Sequence, residues 1–140
     1  MSSKSKNWLL TYVARLLKPG GVAVMTTPNG RYFRNGLPRF SDCLDPSVFE
    51  AEQFKPGSEG HIFLLWPDEI RRFAQQSGLL VEQQTFFTTP LTNGHMKMHY
   101  LLRIMPESWI WSLENAALSL PASAKKLFMV QTAARFRKTP

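Results

Sequence analysis

At 140 residues the chain is long enough for one domain with a real core and too short for two. Hydrophobic residues make up 44% of it, which excludes wholesale disorder. The net charge is +7, but the basic residues are scattered, densest at Lys125-Lys126 and in the tail at Arg135, Arg137 and Lys138, so nucleic acid is not expected as a partner.

No signal-peptide pattern is present: the run Trp8 to Leu17 is short, is interrupted by Arg15 and lacks a small-residue cleavage site. No stretch approaches the roughly 20 apolar residues of a membrane helix. A cytoplasmic protein is expected, with any membrane contact peripheral. The single cysteine, Cys43, cannot form an internal disulfide, and no ligand spacing surrounds it.

Residues 1–6 are rich in Ser and Lys and are expected to fray. Trp8, Leu9, Tyr12, Val13, Leu16 and Leu17 then recur at helical spacing, which predicts an amphipathic helix with these residues as its buried stripe. Pro19-Gly20-Gly21 ends it and turns the chain into the apolar run Val22 to Thr27. That run, without clean alternation, predicts a strand covered on both faces. Pro28-Asn29-Gly30 leaves its carboxyl end, where open α/β sheets bind ligands.

Residues 28–60 hold many prolines and glycines among Tyr32, Phe33, Phe40, Phe49 and Phe54. A turn of helix near 46–53 is the only regular structure expected, and the aromatics predict a packed, lid-like insertion. His61 to Leu65 leads to Trp66-Pro67-Asp68-Glu69, a helix start with proline in its first turn and two acids at the positive end of the dipole. Trp66 stands where a capping Ser or Thr is usual. Ile70, Phe73 and Ala74 form that helix's buried stripe, and Gly78 stops it.

Leu79 to Thr89 predicts a strand, and Pro90 to Gly94 a turn. Met96 to Met105 and Trp109 to Leu120 predict helices within a second insertion, 90–124. Leu127 to Phe136 alternates and predicts the last strand. No internal repeat is visible. The order helix, strand, insertion, helix, strand, insertion, strand is α/β.

Leu16-Leu17-Lys18-Pro19-Gly20-Gly21-Val22-Ala23-Val24 resembles the turn before the fifth strand of class I S-adenosylmethionine-dependent methyltransferases. Thr27-Pro28-Asn29 resembles the end of that strand in the small-molecule branch that includes the ubiquinone-biosynthesis O-methyltransferases. His61-Ile62-Phe63, Trp66-Pro67-Asp68-Glu69-Ile70 and Ser77-Gly78-Leu79 resemble the next helix of that branch, and the final strands resemble its antiparallel sixth and seventh. The resemblance implies the C-terminal half of a Rossmann-like methyltransferase sheet, strands five, six and seven with flanking helices and two insertions, in one partial domain over 1–140. It implies S-adenosylmethionine as cofactor of the parent domain and a small-molecule or lipid-like acceptor.

The family's glycine-rich cofactor loop is absent: no G-x-G-x-G occurs, so no cofactor-binding residue is assigned here. The chain is therefore expected to be inactive alone, as a fragment of a methyltransferase. The alternatives are a non-catalytic interaction module, or a half-domain whose sheet a partner chain completes.

His61 is the candidate catalytic base, since an imidazole can take the proton of an acceptor hydroxyl near neutral pH. Asn29 and Tyr32 are the candidate substrate-binding residues; Pro-Asn-Gly is also ordinary turn chemistry. Phe33, Trp109 and Trp111 could line an apolar pocket or simply pack. His95 and His99 have metal-ligand spacing but no third ligand nearby, so no metal is assigned.

Overall fold

The computed structural model describes residues 8–43, 45, 50–57, 60–92 and 98–140. Its elements are α1 (Trp8–Leu16), β1 (Val22–Pro28), α2 (Glu50–Gln53), α3 (Pro67–Gln76), β2 (Leu79–Phe87), α4 (His99–Ile104), α5 (Glu107–Leu118), α6 (Ala122–Phe128) and β3 (Gln131–Lys138). The fold is α/β, with a small sheet ordered β1–β3–β2. β3 runs antiparallel to both neighbours, pairing Val24 with Arg135 on one side and Gln84 with Ala134 on the other. β1 and β2 therefore point the same way, and the last strand lies between them.

The core lies on one face of this sheet. Leu10 and Ala14 of α1 meet Ile70, Phe73 and Ala74 of α3 over Leu79, Ala134 and Phe136, with Met25 and Val81 at the margin. Burying a side chain such as Ile70 or Phe73 contributes about 1.5–3 kcal/mol. Gly20 and Gly78 adopt φ of 74° and 73°, the left-handed turn expected where each helix reverses into its strand. Backbone bonds from Gly20 to Lys138 (3.1 Å) and from Lys138 to Gly21 (2.9 Å) tie the first turn to the end of β3.

Three expectations are corrected. β1 is covered on one face only: Val22, Val24 and Thr26 are exposed while Ala23, Met25 and Thr27 are half-buried. The α1 stripe is Leu10, Ala14 and Leu17, whereas Leu9, Tyr12 and Leu16 face solvent, 51%, 60% and 73% exposed. The small Ala14 places α1 against the core. Finally, Leu127 and Phe128 end a helix, α6, and the last strand begins at Gln131. Helix-forming Ala122, Ala124, Lys125 and Lys126 follow Pro121 and override the alternation of the apolar residues beyond. From Thr132 on the strand alternates, with Thr132, Ala134 and Phe136 buried.

Each insertion is fastened to the body by a carboxylate. In the first, Glu69 of α3 is fully buried and accepts the backbone N–H and the hydroxyl of Ser41, the former at 2.8 Å. Phe40 packs edge-on against Phe63 (4.5 Å) and Phe73 (5.4 Å). In the second, Glu114 of α5 accepts the hydroxyls of Thr89 (2.6 Å) and Thr92. Thr88 beside them holds φ at 64°, unfavourable for a β-branched residue, and ends β2 two residues before the predicted boundary.

On the open face, Glu82 of β2 reaches Arg137 and, at 3.0 Å, Arg135 of β3. Hydrogen bonding from Arg137, reinforced by the charges of Arg137 and Arg135 against a smaller desolvation effect, holds its carboxyl below the usual range. A carboxylate with a depressed folded pKa contributes stability above its unfolded value, about 4.3, and loses it as pH falls through the folded one. Glu82→Gln should therefore flatten the acid side of the melting-temperature profile below about pH 4 while leaving its shape at neutral pH intact. An acid limb identical to that of the unaltered chain would contradict this.

Candidate functional site

β1 ends at Pro28, and the chain turns sharply through Asn29 and Gly30. The Asn29 carboxamide is buried and fully used. Its nitrogen donates to the carbonyls of Lys126 and Met129, both at 2.8 Å, and its oxygen accepts the Arg31 N–H at 3.1 Å. The Asn29 backbone N–H donates to Val130 (2.8 Å), so one residue joins the end of β1 to the link between α6 and β3. Gly30 follows with its N–H on Leu65 (3.0 Å), and a Cβ there would stand 2.7 Å from the Leu65 carbonyl oxygen. This close approach needs a glycine and brings the segment before α3 against the strand end.

A cavity of about 500 Å³ opens at this strand end. Its walls include Pro28, Asn29, Tyr32, Leu64 and Val130, and Arg34, Lys55 and His61 stand at its margin. Asn29, Tyr32 and His61, separated by up to 32 positions (61 − 29), thus border one space. The Tyr32 ring is buried against Phe33, 4.9 Å between centroids. Burial raises its phenol pKa, with the Arg34 charge acting in the opposite direction. His61 is exposed at the rim.

Arg34 and Lys55 were not singled out from sequence. The available signal is that Gly30 to Ser41 contains Arg31, Arg34 and Arg39 and no acid. Among the described residues no Asp or Glu lines the cavity, and none of them forms a glycine-rich helix start there. The residues present therefore do not fit S-adenosylmethionine, whose ribose and sulfonium call for hydroxyl acceptors and a close backbone cradle.

Other sequence candidates lie elsewhere. Trp109 and Trp111 are exposed on α5, and the Trp111 indole donates to Glu107 at 3.1 Å. His99 begins α4 and is exposed, and His95 lies outside the described residues. Among the described residues no group of three or more His, Cys, Asp or Glu could hold a metal. Cys43 is buried beside the turn that follows Arg39. Among the described residues, no helix is long and apolar enough to cross a membrane.

No family model matches the chain, and no curated protein matches it. Among solved structures it is similar to one assigned as a sarcosine dimethylglycine methyltransferase from Galdieria sulphuraria, at 16% identity and a TM-score of 0.48. The match covers 96% of this chain and 48% of the other, so the chain spans about half the length of that structure. This likeness carries no residue role onto the chain.

Proposed function

We propose that residues 1–140 form the acceptor-binding part of a class I methyltransferase domain whose cofactor loop lies in a preceding segment. The observation that carries the reading is the cavity at the carboxyl end of β1, bordered together by Asn29, Tyr32 and His61. The antiparallel pairing of β2 and β3 supports it, because the resemblance expects an antiparallel sixth and seventh strand. In this reading the acceptor is a small or lipid-like molecule. Tyr32 lines its site, His61 receives its proton, and Asn29 holds the floor in place. S-adenosylmethionine binds elsewhere in the complete domain, and the chain alone binds it weakly or not at all.

A second reading has the sheet completed by a partner chain. It is favoured by β1 standing at the sheet edge and by the exposed Leu9, Tyr12 and Leu16 of α1.

The reading frame upstream of the Met1 codon separates the two. The first expects an in-frame strand, a G-x-G-x-G loop and an acidic end to the second strand. The extended protein should transfer a labelled methyl group, and His61→Ala should slow transfer by about 100-fold with acceptor binding retained. A stop codon directly upstream, with the short chain expressed intact, overturns the first reading for the second. Stoichiometric binding of S-adenosylmethionine by the 140-residue chain in calorimetry would also contradict the first.

A further inference from the structure

A second surface of the chain has a different character from the cavity. A shallow groove of about 250 Å³ lies between the turn after β1, the start of α3 and α6, lined by Arg31, Asp68, Arg71, Arg72 and Lys126. Its one acid, Asp68, is ion-paired with Arg39 outside the groove lining, and Arg72 lies 4.0 Å from the buried Glu69 carboxylate. Arg31, Arg71 and Lys126 have no ion-pair partner among the described residues. Among the described residues the groove thus gathers more cations than acids.

An apolar tip adjoins it. Phe33 and Phe128 are 54% and 50% exposed, with ring centroids 5.7 Å apart, and Leu127 is exposed beside them. The Phe33 N–H donates to the Leu127 carbonyl (2.9 Å), which fixes the tip to the end of α6, next to Lys126. At the other end of α6, about 10 Å away by helix rise, Leu118 and Leu120 are exposed as well. An apolar tip beside a cluster of cations matches the two kinds of group an anionic membrane surface offers, acyl chains and phosphates. Aliphatic Leu118, Leu120 and Leu127 suit acyl chains better than stacked bases, which favours lipid over nucleic acid.

We propose that this face docks on an anionic lipid bilayer. Phe33, Leu127 and Phe128 enter the acyl boundary, and Arg31, Arg71 and Lys126 meet lipid phosphates. The attachment is peripheral, and it stands independently of the methyl-transfer reading.

The test is flotation of the 140-residue chain with vesicles of phosphatidylcholine alone or mixed with phosphatidylglycerol, at low and high salt. Binding should favour the anionic vesicles and weaken as salt rises. At roughly fivefold per cation, the combined Arg31→Gln, Arg71→Gln and Lys126→Gln variant should bind them about 100-fold more weakly. Phe33→Ser with Phe128→Ser should weaken binding even at low salt. Circular dichroism melts establish folding, and should the triple variant be unfolded, single changes at exposed Arg71 and half-buried Lys126, Arg71→Gln and Lys126→Gln, carry the test at about fivefold each. Equal binding to both vesicle types overturns the proposal. So does unchanged binding by the folded charge variants, retention of single-stranded DNA but not vesicles, or a dimer that the phenylalanine changes abolish.

Discussion

Glu69→Ala is expected to lower the unfolding free energy by about 3 kcal/mol, a large share of the 5–15 kcal/mol typical of a folded domain. The Glu69 side chain is fully buried, and it receives the Ser41 N–H and the Trp66 N–H, each at 2.8 Å, together with the Ser41 hydroxyl. Removing it strands two backbone donors, and each buried donor left without an acceptor costs about 1–3 kcal/mol. The Arg39 guanidinium, 3.8 Å from the carboxylate and 4.4 Å from the Trp66 ring, would lose its buried counter-charge but keep Asp68 and the ring face. The consequence is local first. The 38–43 segment should release from α3, and its amide protons should exchange faster than those of β3. Glu69→Gln keeps one acceptor oxygen and should lose about half as much. Urea titration with hydrogen exchange checks both, and a loss of less than about 1 kcal/mol for Glu69→Ala would show that the carboxylate does not hold the insertion.

That clamp marks where sequence reasoning stopped. Glu69 at the third position of α3 reads locally as an acid complementing the helix dipole, and it does bond the Trp66 N–H in that way. Its burial depends on Ser41 arriving from 28 positions away, which no local pattern encodes. The elements that were legible are those where backbone geometry leaves one choice. Gly20 and Gly78 sit at positive φ, Pro67 starts α3, and Ile70, Phe73 and Ala74 form its buried side.

The buried stripe of α1 departs from the expected one because apolar residues recur at helical spacing on both faces and the bulkier face is the one that spacing favours. Packing instead selects Leu10 and Ala14, since a methyl side chain lets a helix come close. The start of β3 differs for another reason. Leu127 to Val130 is an unbroken apolar run that suits a helix end or a strand, and the preceding Ala and Lys residues propagate a helix through Phe128 before Met129 and Val130 are buried. For the candidate site, the strand-end turn is legible in the sequence, and Asn29, Tyr32 and His61 border one cavity there. The basic rim at Arg34 and Lys55 was not, because its chemistry is visible only once the loop is folded over the strand end.

Asn29→Asp should be the most damaging single-atom change at the cavity, costing about 3–5 kcal/mol at neutral pH. The replaced nitrogen is the atom that donates to the Lys126 and Met129 carbonyls, both at 2.8 Å in a buried setting. A carboxylate oxygen there meets two acceptors, loses both bonds and brings an uncompensated charge into the interior. The introduced acid should have a folded pKa well above its unfolded value of about 3.9, because two carbonyls and burial both disfavour its ionised form. Its penalty is then small below the unfolded value, grows as pH rises above it, and levels off above the folded value. The variant should therefore gain stability on acidification from neutral pH toward about 4, where protonation restores one donor. Asn29→Ala, which strands the same carbonyls without adding a charge, should cost about 2–3 kcal/mol with no such pH dependence. Thermal melts of the three proteins across this range decide the matter. If Asn29→Asp and Asn29→Ala were equally stable at every pH, the carboxamide would not be the buried fastening between β1 and the α6–β3 link. The floor of the cavity would then rest on the Gly30–Leu65 contact instead.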